Sequence, residues 1–306
     1  MAKRWRAGLV AGVLCLAAGA LAAGDAPLMT GTPAGRLLVG GSGRVMILAP
    51  DGQVLWEHKT GPVHDAWMLP SGNILYADGG VTEVTPDHRV VFQYKPEMTQ
   101  GGGAFACQRL ADGRTLIGEN STGRLLEVDP AGKVVFTLQL EPFKPGSHGN
   151  MRMARKLAGG NYLVCLKDAR LVREVTPQGR TVLEIKTENV TFAAARTPAG
   201  TTLVSTLDHV TEYDAAGRKV WEFANTDLPG VVITNMTGLH LLPGGNVAIG
   251  CYAAYKKGEG TGTGLLEITR DKKLVWRYAN PKADGSLMAI QRLDAAGKPL
   301  AGECVR

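Results

Sequence analysis

A four-residue phrase recurs along the chain and constrains its fold more than any other feature. The close copies are Glu83-Val84-Thr85-Pro86, Glu127-Val128-Asp129-Pro130 and Glu174-Val175-Thr176-Pro177. The looser copies are Ile47-Leu48-Ala49-Pro50, Glu212-Tyr213-Asp214-Ala215 and Glu267-Ile268-Thr269-Arg270. Each copy precedes a turn and, in most cases, a run such as Val90-Val91-Phe92. Internal repeats spaced by roughly 35–55 residues are typical of solenoids, propellers and arrays.

The best-formed repeat, residues 64–95, contains four short β-rich runs separated by turn residues. The runs are Ala66 to Leu69, Ile74 to Ala77, Val81 to Thr85 and Arg89 to Tyr94. Gly, Pro, Asn and Asp punctuation between such runs indicates one antiparallel sheet. A lone four-stranded sheet leaves apolar faces exposed, whereas radial stacking buries them. The sequence therefore predicts an all-β, six-bladed β-propeller of four-stranded antiparallel blades.

The two ends of the chain predict how the ring closes. Leu287 to Leu293 resembles the first strand of a blade, yet no complete blade follows it. We expect this C-terminal strand to complete blade 1, whose own first strand is poorly marked. The alternative is that Leu28 to Thr32 supplies that strand.

The first 23 residues predict a secretory signal peptide and leave residues 24–306 as a single propeller domain. Lys3, Arg4 and Arg6 precede an apolar run that ends in Ala20-Leu21-Ala22, a small-residue cleavage pattern. A retained membrane anchor is the alternative, but the run of about 17 residues is short for a span. The predicted location is therefore periplasmic or secreted, with no stable membrane span after cleavage.

Charge gives little support for nucleic-acid binding. The chain carries 34 Lys and Arg against 28 Asp and Glu, a net charge of +6. Three of the basic residues lie in the predicted signal, which contains no acid, so the remainder carries +3. No basic cluster interleaved with aromatic residues follows. We expect a monomer whose partner is a small molecule, a glycan or a protein rather than nucleic acid.

Four cysteines remain after the predicted cleavage: Cys107, Cys165, Cys251 and Cys304. In an oxidising compartment they could form one or two disulfides, and the sequence does not choose among the pairings. For Cys107 and Cys165, which lie in β-rich runs, we favour burial as small hydrophobic residues.

Candidate site residues come from the places where the repeat is interrupted. The longest interruptions are Glu97 to Gly103, Glu141 to Asn150, Asp227 to Asn235 and Tyr252 to Gly264. All four map to connections on one face of a propeller, and loops on a rigid scaffold commonly carry binding sites. The polar candidates there are His64, Asp65, His148, Asn150, Arg152, Asn235, Thr237 and Tyr252. Imidazole and guanidinium groups at a channel mouth suit an anionic or sugar-like ligand.

The unit from His64 to Leu75, continuing through Val84-Thr85-Pro86-Asp87, resembles the repeat of the PQQ-like propeller superfamily. It is most similar to the repeats of arylsulfotransferase-type proteins, and the resemblance extends from about residue 36 onward. That family implies a propeller with a catalytic histidine in its central channel, although the resemblance does not assign it to one position here. PQQ dehydrogenases have eight blades and a tryptophan-docking motif, which this chain lacks, so no cofactor is implied.

Two functions follow from these observations. The first is a non-catalytic propeller that binds its ligand or partner on the face bearing the insertions. The alternative is an enzyme of transferase or lyase type that uses His64, His148 and Arg152 in the central channel, which requires these side chains to converge near the axis. No closely spaced set of His and Asp predicts a metal site, and His58 and His88 map away from this face without an assigned role.

Overall fold

The computed structural model describes residues 28–41, 43–252, 262–279 and 286–300, and these form 25 strands. The first half contains β1 (Leu28–Thr30), β2 (Leu37–Gly41), β3 (Arg44–Leu48), β4 (Val54–Lys59), β5 (Asp65–Met68), β6 (Ile74–Ala77), β7 (Val81–Val84), β8 (Val90–Tyr94), β9 (Ala104–Arg109), β10 (Thr115–Glu119), β11 (Arg124–Val128) and β12 (Val134–Gln139). The second half contains β13 (Met153–Lys156), β14 (Tyr162–Leu166), β15 (Leu171–Val175), β16 (Thr181–Lys186), β17 (Thr191–Arg196), β18 (Thr202–Thr206), β19 (His209–Tyr213), β20 (Lys219–Ala224), β21 (Met236–Leu241), β22 (Val247–Cys251), β23 (Leu265–Ile268), β24 (Leu274–Ala279) and β25 (Leu287–Arg292).

Six antiparallel sheets form the blades of a β-propeller, as the repeat predicts. Blades 2 to 5 consist of β5–β8, β9–β12, β13–β16 and β17–β20, each in sequence order. The inner and middle strands are mostly buried, whereas an outer strand such as β12 is exposed at alternate positions. Because the blades pack face to face around an axis, both faces of each inner strand are covered.

The C-terminal strand closes the ring, which confirms the expected closure. β25 pairs with β2 and completes blade 1, in the order β25-β2-β3-β4. The alternative for the N-terminal strand is wrong, because β1 pairs with β24 and becomes the outermost, fifth strand of blade 6. Each end of the chain therefore adds a strand to the blade formed mainly by the other end.

The recurring phrase marks the same local structure in every blade. In every blade the third and fourth strands are paired, and their register shifts by one residue between the first and second residues of the phrase. In blade 3, for example, the shift lies between Glu127 and Val128. Such a β-bulge bends the strand and increases its twist. The last two residues then open the turn to the fourth strand. The phrase is therefore a bulge-and-turn signal for the outer half of a blade.

The glutamate that begins the phrase joins each blade to the next. Five of the six blade junctions contain a salt bridge from this glutamate to a base of the following blade: Glu83–Arg109, Glu127–Lys156, Glu174–Arg196, Glu212–Arg270 and Glu267–Arg292. In most blades the same carboxylate also accepts a hydrogen bond from its own blade, as from Asn161 Nδ2 to Glu174 Oε1 at 2.6 Å. The repeated glutamate is therefore a junction residue.

The junction between blades 1 and 2 replaces this ion pair with apolar contact. Ile47 takes the place of the glutamate, and Met68 takes the place that Arg109 and Lys156 occupy in their blades. Both residues pack in one hydrophobic cluster with Val45 and Ile74. Because acid and base are absent together, neither charge is left buried without a partner.

The cysteines in the described part of the chain are packing residues. Cys107, Cys165 and Cys251 are fully buried and form no disulfide within the described residues, which confirms the expectation for Cys107 and Cys165. Burial raises the pKa of Cys165 and brings that of Cys251 to about 12. Cys304 and the predicted signal peptide lie outside the described residues. Within the described ranges, no helix is long and apolar enough to cross a membrane.

The junction salt bridges are tested with Glu267→Gln. Glu267 and Arg292 have side-chain exposures of only 5% and 7%, and Glu267 also accepts a hydrogen bond from Trp276 Nε1. Removing one partner of a buried pair costs about 3–5 kcal/mol, and we expect that loss in chemical denaturation.

Glu184→Gln is the matched control for this experiment. Glu184 also pairs with an arginine, Arg173, but its side chain is 34% exposed, and such pairs contribute about 0–1 kcal/mol. Equal losses in the two variants would contradict the junction role of Glu267.

Candidate functional site

The inner strands place one side chain from each blade around the mouth of the axial channel. In blades 1, 3, 5 and 6 the first strand has a bulge, where one of its residues has no partner in the second strand. In blades 2 and 4 the equivalent residue directly precedes the first strand. These six positions hold His64, Phe105, Arg152, Phe192, Thr237 and Met288. We call these residues the mouth ring.

Three predicted site residues come together at this ring. The imidazoles of His64 and His148 have ring centroids 5.9 Å apart. Arg152 Nη1 donates a hydrogen bond to His148 Nε2 at 3.2 Å. Phe105 lies between them, with ring centroids 4.0 Å from His64 and 4.8 Å from His148. The geometric condition for a shared channel site is therefore met.

His148 is held by the long loops rather than by a strand. Its Nδ1 donates to the Gly101 carbonyl oxygen at 3.1 Å, so the loop after β8 and the loop after β12 meet here. With a proton on Nδ1, Nε2 is free to accept the hydrogen bond from Arg152. Partial burial and the positive charge of Arg152 lower the pKa of His148, against the hydrogen bond to Gly101. The neutral ring is therefore favoured at pH 7.

His64 is also neutral, but its ring makes fewer hydrogen bonds than that of His148. Dense packing at the channel mouth lowers its pKa well below the usual value, and the positive charge of Arg152 adds to this effect. Its Nδ1 has no hydrogen-bond partner among the described residues. Buried polar atoms normally have a partner, so this nitrogen is a candidate to bind a ligand.

Arg152 is a partly buried cation at the channel mouth. Its guanidinium lies over Phe105 at 5.1 Å and Phe192 at 5.9 Å, and its Nη2 is 3.9 Å from Met288 Sδ. Among the described residues no carboxylate forms a salt bridge with it. Burial lowers its pKa to about 10, so the side chain remains charged at pH 7. A desolvated guanidinium of this kind favours an anionic ligand.

Two buried asparagines fix the loops around this cluster. Asn120 donates to the carbonyl oxygens of Gly101 at 2.8 Å and Ser147 at 2.9 Å, and it accepts from the Met151 amide at 3.0 Å. Asn150 accepts from the Lys144 amide and donates to the Lys144 carbonyl oxygen. The polar atoms of Asn150, a predicted site residue, are thus occupied within its own loop.

Asp65 lies one residue deeper than the mouth ring and is paired. Its carboxylate accepts hydrogen bonds from both terminal nitrogens of Arg155, at 2.7 and 3.1 Å, across the channel from blade 2 to blade 4. It also accepts from the Cys107 amide at 3.1 Å. The cavity above this pair measures only about 30 Å³, enough for about two waters or one small charged group.

The predicted residues of blade 6 divide between the mouth and its rim. Thr237 belongs to the mouth ring and donates to the Gly250 carbonyl oxygen at 3.2 Å. Asn235 and Tyr252 are joined by hydrogen bonds at the rim, where Asn235 Nδ2 donates to the Tyr252 carbonyl oxygen at 3.1 Å. The Tyr252 side chain is exposed. No hydrogen bond links Asn235 to the His64–His148–Arg152 cluster among the described residues.

Sequence reasoning missed Phe105, Asn120, Phe192 and Met288. The mouth ring could have been found by aligning the first strands of the six blades on the turns that follow them. In that alignment His64 and Arg152 stand at a position that is Phe, Thr or Met in the other four blades. Asn120 lies in an ordinary turn, and only the fold shows that two distant loops meet there. In the described part of the chain, no three His, Cys, Asp or Glu residues converge as metal ligands.

The fold and this cluster define a six-bladed β-propeller with a polar, aromatic-lined site at one mouth of its axial channel. No known family matches the sequence, and no curated protein is significantly similar.

Solved structures share the fold. A protein of unknown function from Bacteroides caccae is 25% identical with a TM-score of 0.74, over 85% of this chain and 98% of that chain. Virginiamycin B lyase from Staphylococcus aureus is 10% identical with a TM-score of 0.55, over 82% and 87%. The WD40 β-propeller domain of Doa1 is 11% identical with a TM-score of 0.57, over 89% and 90%. These similarities support the β-propeller superfamily.

The coupling between Arg152 and His148 is tested by NMR titration of the imidazoles. Arg152→Met removes a positive charge that disfavours the imidazolium form, so the pKa of His148 should rise toward its ordinary value. Lys167→Gln is the control, because Lys167 lowers the pKa of His148 less than Arg152 does. An unchanged His148 titration in Arg152→Met would show that the two side chains do not interact.

Proposed function

We propose that the protein binds a small anionic ligand at the channel mouth, with Arg152 as the group that holds its charge. The proposal depends on one observation: the Arg152 guanidinium lies among Phe105, Phe192 and Met288, and no carboxylate of the described residues forms a salt bridge with it. Natural proteins rarely bury a charge without a partner, because desolvation costs several kcal/mol. A bound anion supplies that partner and stabilises the guanidinium.

The surroundings specify what kind of anion fits. The small cavity admits a carboxylate-sized or phosphoryl-sized group, and the remainder of the ligand lies against the loops outside. Phe105 and Phe192 are buried and lie against the guanidinium, so they position Arg152 and do not themselves contact the ligand. His64 and His148 contribute neutral imidazole nitrogens that donate or accept hydrogen bonds.

Binding is tested by calorimetry and thermal shift with 4-nitrobenzoate and 4-nitrophenyl phosphate, beside neutral 4-nitrophenol methyl ether. We expect only the anionic probes to raise the unfolding temperature, because a ligand at a hundredfold excess over Kd adds about 2.7 kcal/mol. Arg152→Met should weaken binding about 10- to 100-fold, the loss of a charged hydrogen bond worth about 1.5–3 kcal/mol.

Arg218→Met is the matched control, since it removes one positive charge from an arginine that is 80% exposed. Equal weakening in both variants would attribute binding to net charge and would contradict the proposed site. Binding of the neutral ether as tightly as the anions would contradict it as well.

A second candidate, an enzyme acting in the channel, is favoured by the neutral state of His64. An imidazole with a lowered pKa, whose Nδ1 has no hydrogen-bond partner among the described residues, is competent as a general base or nucleophile. The likeness to virginiamycin B lyase concerns the fold alone, so this candidate rests on the imidazoles. Release of 4-nitrophenol from the phosphate probe, lost in His64→Gln, would favour the enzyme over the binding protein.

We also propose that the protein is exported and that its repeats belong to the PQQ-like superfamily, near the arylsulfotransferase type. The basic start, the apolar run and the small residues before position 23 support export. The unit from His64 to Leu75 supports the kinship.

Export predicts removal of the first 22 or 23 residues. Intact-mass measurement of protein from the periplasm or the medium should show a chain that begins at Ala23 or Gly24. A full-length mass in the membrane fraction would instead support a retained anchor.

A further inference from the structure

Two histidines depart from the repeat in neighbouring blades, far from the mouth ring. His58 lies in β4 opposite Val45, a ladder position that is apolar or aromatic in every other blade. The residues at the equivalent ladder positions are Tyr94, Leu138, Ile185, Phe223 and Tyr278. The blade architecture therefore does not require a histidine at this position.

His88 departs from the repeat more strongly, because it occupies a glycine position. It is the fourth residue of the turn between the third and fourth strands and has φ +67°. The equivalent residues are Gly52, Gly132, Gly179, Gly217 and Lys272, all with positive φ. A residue with a β-carbon is strained in this left-handed region. His88 is thus accommodated against the backbone preference of the turn, and such outliers point to function.

These two departures meet on the surface between blades 1 and 2. His58 Nδ1 and His88 Nδ1 are 3.1 Å apart and share a hydrogen bond, in which one ring donates to the other in the metal-free protein. Both rings lie nearly parallel to the indole of Trp56, at centroid distances of 5.9 Å for His58 and 5.1 Å for His88. Trp56 is itself fixed by a hydrogen bond from its Nε1 to the Pro86 carbonyl oxygen. The imidazoles are therefore held side by side at a solvent-accessible place.

The separation of the two nitrogens fits a shared metal ion. Zinc–nitrogen bonds of about 2.0–2.1 Å place two ligand atoms about 2.9 Å apart at a right angle and about 3.4 Å apart at the tetrahedral angle. The observed 3.1 Å lies between these values. Rotation about the soft ring torsions then turns both lone pairs toward one point. We propose that His58 and His88 together bind a divalent transition metal ion.

The donor set selects the class of metal. Two imidazole nitrogens suit Zn²⁺, Ni²⁺ and Cu²⁺, with Cu²⁺ bound most tightly, and they do not suit Mg²⁺ or Ca²⁺. No third His, Cys, Asp or Glu joins the pair within the described residues, so water completes the coordination shell.

The repeat itself supplies substitutions that should preserve the fold. His58→Tyr introduces the residue found at the equivalent positions of blades 2 and 6, and His88→Gly introduces the usual residue of the turn. Tag-free protein is titrated calorimetrically with Zn²⁺ and Ni²⁺, and with Mg²⁺ as the negative probe. Electron paramagnetic resonance of bound Cu²⁺ reports nitrogen ligation.

We expect one Zn²⁺ or Ni²⁺ per chain and a two-nitrogen Cu²⁺ signal. Each single variant should weaken binding at least about tenfold, since even the loss of an outer-shell partner costs about 10- to 100-fold. His88→Gly should also raise the unfolding temperature of the metal-free protein, because it relieves the left-handed backbone. His209→Asn, which removes a histidine of blade 5, should leave Zn²⁺ binding unchanged.

The proposal is wrong if the double variant His58→Tyr/His88→Gly binds Zn²⁺ and Ni²⁺ as tightly as the parent protein. It is equally wrong if the parent protein binds neither ion. A Cu²⁺ signal that persists in the double variant would assign the nitrogen ligands elsewhere.

Discussion

The fold depends on how one blade is held to the next, and the carboxylate of the recurring phrase adds a directional contact at five of the six junctions. A propeller has no single core, because each hydrophobic cluster lies between two neighbouring sheets. Apolar contact is less directional than a hydrogen-bonded ion pair. A carboxylate that accepts hydrogen bonds from its own blade and from a base of the next helps to set the angle between the two blades at these five junctions. At the sixth, Ile47 and Met68 replace both charges together.

With the blade angles set, the six inner strands begin at equivalent points around the axis. In each blade one residue, either at a bulge in the first strand or directly before that strand, places its side chain at the channel mouth. The mouth ring therefore follows from the geometry of the scaffold. Its chemistry differs because four positions retain apolar or small side chains, whereas two carry His64 and Arg152. His148 joins them from a loop that Asn120 and Asn150 hold in place. The site therefore combines strand positions with loop positions.

Much of the fold could be predicted from the sequence, since turn residues and alternating burial are local signals. The repeat predicted the strands, the blade number and closure by Leu287 to Leu293. It failed for Leu28 to Thr30, because three residues pairing with a distant edge strand have no local signature. His64, His148 and Arg152 were chosen because they lie on the face where the repeat is interrupted, and their side chains do converge. Their role as a binding site stays a prediction.

Contacts between blades explain what was missed. His58 and His88 are 30 residues apart, and each looks like a surface residue of its own blade. Only a comparison of every blade, at the ladder position of His58 and at the turn position of His88, shows that both depart from the repeat. Asn120 is similar, since its partners Gly101 and Ser147 lie in two different loops. Features that join neighbouring repeats are not visible in any one repeat.

The two terminal strands give the ring a property that blade-by-blade packing does not. β25 is tied to β2 by five residue pairs, and β1 is tied to β24 by three. The chain thus crosses the seam between blades 6 and 1 twice, once on the inside and once on the outside. Fraying from either terminus must strip a strand from the blade at the opposite end of the chain. Unfolding of the last blade and the first is therefore one cooperative event, and the ring does not unravel stepwise as an open solenoid does.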